Sequence, residues 1–208
     1  MEDNNKNESG LESNKRDHKI EITDIAISKV PFVKYKEIPE EHYKTLQELA
    51  KAVLEYSRKR NNCNETAIVY SLDNPDETWN EDEVIAISYG DEHQVKPLGS
   101  IQSHHIWYIA KRCVLIILHN HPSLSKVSLQ DVSFLFGEAS VKMIVVVTNR
   151  GSINYIVKTD NYDRIKGMKL FNEATKELTD DSTLKEIQTA TDFFLNNCHK
   201  AGLIYDDQ

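Results

Sequence analysis

VLIILHNHPSLSKVSLQDVSFLF (114–136) is the stretch that decides the fold. VLIIL (114–118) is a continuous apolar run of strand length, which predicts a central strand buried on both faces. SLQDVSFLF (128–136) reads as a helix. Between them lies a polar turn that opens with HNH (119–121).

Outward from this core, VKMIVVVTN (141–149) predicts a second buried strand. RGSINYIVK (150–158) predicts a turn at Gly151 and a hairpin partner. Upstream, TAIVYSL (66–72) and VIAIS (84–88) read as strands around the acidic loop DNPDETWNEDE (73–83). SIQSHHIWYIAKRC (100–113) fits a short helix with Ile106, Ile109 and Ala110 facing inward. PEEHYKTLQELAKAVLEYSRKR (39–60) is the clearest helix: Pro39 suits its first position, and Tyr43, Leu46, Leu49, Ala50, Val53 and Leu54 form one apolar stripe. Residues 18–38 alternate in places and predict an edge strand, since Pro31 argues against a central one. Two helices close the chain at 161–178 and 182–199, the second with a Thr183/Glu186 capping box. The expected class is α/β, a mixed central sheet flanked by helices, with extra C-terminal helices. The expected parts are a disordered tail (1–17), an N-terminal extension with its helix (18–60), a core domain (61–158) and a C-terminal helical extension (159–208).

The 208 residues carry 25 basic and 33 acidic side chains, a formal charge of −8. An acidic chain repels phosphate backbones, which argues against direct nucleic-acid binding. The densest basic cluster, SRKR (57–60), sits where it complements a helix end. Cys63, Cys113 and Cys198 are odd in number and form no CxxC pair, so neither a disulfide framework nor a thiolate metal site is expected. A reducing, cytoplasmic setting follows, and no apolar run reaches the length of a membrane span. Cys113 is expected in the core, and Trp79 as a packed loop aromatic.

His119 and His121 leave the same face of a strand if the strand persists through them. Two imidazoles there can share one metal. Eight histidines in 208 residues give about 0.3 such pairs by chance, so the pair alone decides nothing. Asp131 adds a carboxylate just inside the following helix, and Ser128 stands three residues before it. Ser128-x-x-Asp131 is also a helix N-terminus signature, with Ser as cap and an acid in the first turn. Both roles are compatible, because a first-turn side chain can face the strand end.

HNHPSLSKVSLQD resembles the metal motif of the JAMM (JAB/MPN) metalloprotease family, in which a Glu precedes H-x-H and then Ser-x-x-Asp. Its wording is closest to the RadC-like and phage- or mobile-element-associated bacterial branches. The resemblance covers about residues 62–158 and makes 61–158 a JAB/MPN-like catalytic domain. It implies Zn2+ held by His119, His121 and Asp131, a water as fourth ligand, Ser128 assisting the oxyanion, and a Glu as general acid/base. Six residues separate His121 from Ser128, where the usual pattern has seven. Among Glu65, Glu77, Glu81, Glu83 and Glu92, Glu65 is favoured because it opens the first core strand. His104 and His105 read as structural or surface residues.

The implied activity is hydrolysis of a peptide or isopeptide bond in a protein or peptide substrate, a ubiquitin-like conjugate among the candidates. Two other readings stand beside it: a non-catalytic JAB-like protein-binding module, and a RadC-like DNA-associated accessory protein. A zinc deaminase is excluded by the absence of a P-C-x-x-C pair.

Overall fold

The computed structural model describes residues 19–81 and 83–207. In chain order the strands are β1 (Thr66–Ser71), β2 (Trp79–Asn80), β3 (Glu83–Val84), β4 (Ile87–Tyr89), β5 (Leu115–His121), β6 (Val141–Thr148), β7 (Ile153–Lys158) and β8 (Leu203–Asp207). The helices are α1 (Asp24–Ser28), α2 (Tyr43–Arg60), α3 (Ile101–Ile109), α4 (Leu129–Gly137), α5 (Arg164–Thr175) and α6 (Leu184–Asn197). Six strands form one mixed sheet in the order β4-β1-β5-β6-β7-β8, with β2 and β3 as a separate two-stranded ribbon. Only β5 and β6 run parallel; the other neighbours are antiparallel. The mixed α/β class read from the sequence is the one observed.

Strand alternation divides the core into two layers. Ile116, Leu118, Met143, Val145 and Val147 point to one face, where they meet Leu46, Leu49, Val53 and Leu54 of α2. Leu115, Ile117, Ile144 and Val146 point to the other, against Val132 and Leu135 of α4 and Phe194 and Leu195 of α6. Both central strands are buried along their whole length, in keeping with the apolar runs at 115–118 and 143–147 that make up most of them. On β5 the even positions therefore face α2 and the odd positions face α4.

Several boundaries differ from the sequence expectation. The described part of the expected edge strand, residues 19–38, is not a strand: Thr23 caps a short helix, α1, and the segments around it are irregular. The Thr23 hydroxyl accepts from the Ala26 amide, a local bond that the weak strand alternation had no means of signalling. Pro39 precedes a 3-10 turn (Glu40–His42) rather than opening α2. The stretch 84–88 is split between β3 and β4. The C-terminal extension is not wholly helical: β8 pairs with β7 and becomes an edge of the sheet. Gly151 turns β6 into β7 at φ 88°, as expected, and lies so close to the α1 backbone that a Cβ would collide with the Ala26 carbonyl. The expected disordered tail, 1–17, lies outside the described residues. Among the described residues no helix is long and apolar enough to cross a membrane.

Candidate metal centre

Strand β5 continues through His121, so His119 and His121 share the α4 face of the sheet. Their Nε2 atoms lie 3.0 Å apart. Asp131 reaches the same point from the first turn of α4: Oδ1 is 3.1 Å from His119 Nε2, and Oδ2 is 3.5 Å from His121 Nε2. Around a zinc ion with ligand bonds of about 2.0–2.1 Å, tetrahedral donors sit about 3.3 Å from one another. The three observed separations bracket that edge. This is the group of metal-ligating side chains that converges among the described residues.

The partners of these side chains explain how they are held. Ser128 caps α4: its hydroxyl accepts from the Asp131 amide at 3.1 Å, and its own amide donates to Asp131 Oδ2 at 2.7 Å. The hydroxyl also donates to Oδ2 at 2.7 Å. The cap and the orientation of the carboxylate are thus one set of bonds, and the hydroxyl hydrogen of Ser128 is committed to Asp131. His121 Nδ1 lies 3.1 Å from the Ser125 carbonyl oxygen. A hydrogen on Nδ1 leaves the Nε2 lone pair free at the point shared with His119 Nε2 and the Asp131 carboxylate, the tautomer a metal ligand needs. His119 Nδ1 is buried with no hydrogen-bond partner among the described residues.

Burial opposes charge on all these groups, and the outcomes differ. For Asp131, burial raises the carboxyl pKa, but the adjacent His119, then His121 and the Ser128 amide, overcome it and hold the group well below the usual range. His119 is lowered by burial, yet Asp131 and Glu65 bring it out above its ordinary value. His121 ends below its ordinary value, because burial and the His119 charge outweigh Asp131.

Glu65 belongs to the same floor. β1 pairs antiparallel with β5 with Ala67 opposite His119. Glu65 directly precedes β1, two residues before Ala67, and alternation of the extended chain puts it on the same face, where it lines one cleft with both histidines. It is buried, and burial pushes its carboxyl up to about 7; Asp131 and Asp91 add to the rise, while His119 and a hydrogen bond from the Val95 backbone oppose it. Glu65 lines a cleft of about 860 Å³ together with His119, His121, Ser128 and Asp131. Such a volume suits a ligand site. One wall comes from α6, through Leu184 and Ile187.

The other glutamates stand elsewhere. Glu77 accepts from Gln102, and Glu83 pairs with Arg60. Glu81 is an exposed residue with left-handed backbone. Glu92 is an exposed loop residue at the rim of the cleft. His105 faces Glu77 and His104 packs at a tilt against Trp107, so neither joins the metal group. Trp79 packs against the α2-side core. Cys113, expected in the core, is instead half-exposed in a left-handed turn before β5, at φ 56°. All three cysteines are unpaired.

Two contributions escaped the sequence reading. The α6 wall had no local signal, because it depends on where the C-terminal helices fold back. Asn120 and Asn149 form a buried amide pair directly behind the site, with a bond of 2.8 Å. An Asn between two histidines at the end of a buried strand, on the opposite face from both, was the available clue. Comparison with protein-family models, curated proteins and solved structures finds no match to this chain.

Proposed function

We propose that this protein is a zinc-dependent hydrolase of peptide or isopeptide bonds, the activity that the JAMM-like motif implies. The observation carrying the proposal is the convergence of His119 Nε2, His121 Nε2 and the Asp131 carboxylate on one buried point, beside Glu65. Two imidazole nitrogens and one carboxylate form the donor set of open, catalytic zinc sites. The donor separations fit the ion, and the Ser125 and Ser128 bonds orient two of its three ligands. Zinc bound there supplies Lewis-acid activation of a water and of the scissile carbonyl.

The protein's own groups divide the remaining work. Glu65, with a pKa lifted to about 7 by burial, is suited to take a proton from the attacking water and return it to the leaving amine near neutral pH. Ser128 holds Asp131, and serves as an oxyanion donor once its hydrogen turns from Asp131 toward the cleft. The cleft of about 860 Å³ has the volume of a ligand site and gives a substrate access to the histidine–aspartate group. The unpaired cysteines fit a reducing, cytoplasmic setting.

Metal content and hydrolysis test the proposal together. The full chain, purified with zinc, is expected to hold one ion and to cleave labelled casein or an isopeptide-linked ubiquitin-like conjugate. Glu65→Gln should keep the ion and lose turnover. A stable protein that holds no zinc, or undiminished hydrolysis by Glu65→Gln, overturns this assignment.

A further inference from the structure

Asn120, the middle letter of HNH, faces away from the metal group. It is fully buried on the α2 side of the sheet, between two strand neighbours that face α4. Its side-chain amide is saturated. Oδ1 accepts from the Thr66 amide at 2.8 Å. Nδ2 shares its two hydrogens among Asn149 Oδ1 at 2.8 Å, the Asn64 carbonyl at 3.2 Å and Ser57 Oγ at 3.3 Å. The Thr66 bond fixes which end of the amide is which, since a backbone N–H can meet only the oxygen.

Two of these partners, Asn64 and Thr66, are the residues on either side of Glu65. The backbone of Glu65 is held from further directions: its amide donates to the Asp91 carbonyl, and its carbonyl accepts from Asn61 Nδ2 and the Gly90 amide. Asn149 closes the arrangement, donating to the carbonyls of Ile20 and Cys63. Its own amide donates to the His121 carbonyl. A chain of buried hydrogen bonds therefore runs from both sides of Glu65, through Asn120, to the strand that carries both histidines.

We propose that Asn120 is a positioning residue for Glu65: its amide clamps the backbone flanking Glu65 to the point on β5 midway between His119 and His121. The catalytic consequence rests on the function proposed above; the clamp itself does not. The β1–β5 ladder ends at Ala67 and His119, so beyond that point the Asn120 side chain supplies the bonds that tie the Glu65 segment to β5, while Asp91, Gly90 and Asn61 hold it from the other side. A polar clamp inside an apolar layer is costly unless every member is satisfied, and here each amide atom has a partner. A residue that served stability alone has no need to bracket the buried glutamate that, among the described residues, lines the cleft beside His119 and His121.

The test uses the full chain as wild type, Asn120→Ala and Asn149→Ala, each loaded with one equivalent of zinc. Amide hydrogen exchange reads the Thr66 N–H, and hydrolysis of labelled casein reads the placement of Glu65. In Asn120→Ala the Thr66 amide is expected to exchange at least about 10-fold faster, with zinc retained. The kcat should fall about 100-fold at unchanged KM, the loss typical of a catalytic group displaced by about 1 Å. Wild-type protection of Thr66, a kcat within about twofold of wild type, or loss of zinc in step with kcat would overturn the proposal. Should Asn120→Ala not fold, Asn149→Ala carries the test: it leaves β5 intact and withdraws the nearest acceptor of the Asn120 amide. Faster Thr66 exchange and a several-fold lower kcat with zinc retained support the clamp, and wild-type values for both refute it. A wild-type chain that neither holds zinc nor cleaves casein removes the proposed function alone; Thr66 exchange in the same variants still decides the clamp.

Discussion

Asp131 Oδ1 lies 3.1 Å from His119 Nε2, although one residue belongs to the first turn of α4 and the other to β5. The carboxylate therefore serves two structures, the helix cap through Oδ2 and the histidine pair through both oxygens. Removing it should be felt in both.

If Asp131 is a zinc ligand, as proposed, Asp131→Ala is expected to weaken zinc binding by about 100-fold or more, since outer partners alone contribute about 10–100-fold. It should also lower metal-free stability by about 1 kcal/mol through the broken capping box. A chelator competition titration and a urea unfolding curve measure the two effects separately. Wild-type zinc affinity in this variant would exclude Asp131 as a ligand.

Ser128→Ala addresses the support rather than the ligand. It removes the cap to the Asp131 amide and the hydroxyl bond to Oδ2. Zinc affinity should fall about 10-fold and stability by about 1 kcal/mol. Ser128→Thr, which keeps the hydroxyl, should restore most of both. Failure of threonine to restore either would mean that the hydroxyl bonds are not what matters.

Glu65 gives the metal-free protein a pH dependence of known sign. Its carboxyl is pushed up to about 7 in the folded chain, so below the ordinary carboxyl range it is protonated in both states and has no effect. As pH rises to about 7 the unfolded chain releases the proton first, and stability is lost across that window. The loss is of the order of 3 kcal/mol at full extent. Glu65→Gln carries no charge at either end, so it should gain stability over wild type at pH 8 and match it at pH 4. A constant difference between the two proteins over this range would show that Glu65 is not held in a raised state.

Truncation after Gly202 tests the part of the sheet that the sequence did not announce. It removes β8, including the buried Leu203, and leaves β7 as an unpaired edge. We expect a lower melting temperature and concentration-dependent aggregation, the usual behaviour of an uncovered strand. An unchanged melting temperature and a monodisperse sample would show that β8 contributes little to the fold.

Much of this architecture is written in local patterns. The unbroken apolar runs at 114–118 and 143–147 made both central strands legible, because a strand covered on both faces needs no polar alternation. The stripe Leu46, Leu49, Ala50, Val53 and Leu54 did the same for α2. The i, i+2 spacing put His119 and His121 on one face, and Ser128 and Asp131 marked the start of α4. In contrast, Cys113 looked like core because it borders an apolar run, yet a left-handed turn leaves it half-exposed. β8 was illegible as a strand: LIYDD ends in acids, and only its partner β7 makes it one.

What the sequence by itself determined is the two central strands, α2, the start of α4 and the local geometry of His119, His121 and Asp131, because each of those depends on residues a few positions apart. What only the tertiary structure decided is the company they keep. Five glutamates were open as the acid/base, and the antiparallel register of β1 on β5 brings Glu65 alone onto the buried floor beside the histidines. The α6 wall and the Asn120–Asn149 amide pair depend in the same way on sheet order and on partners far apart in the chain. Register and burial are collective outcomes of packing both faces at once, so no single stretch of sequence contains them.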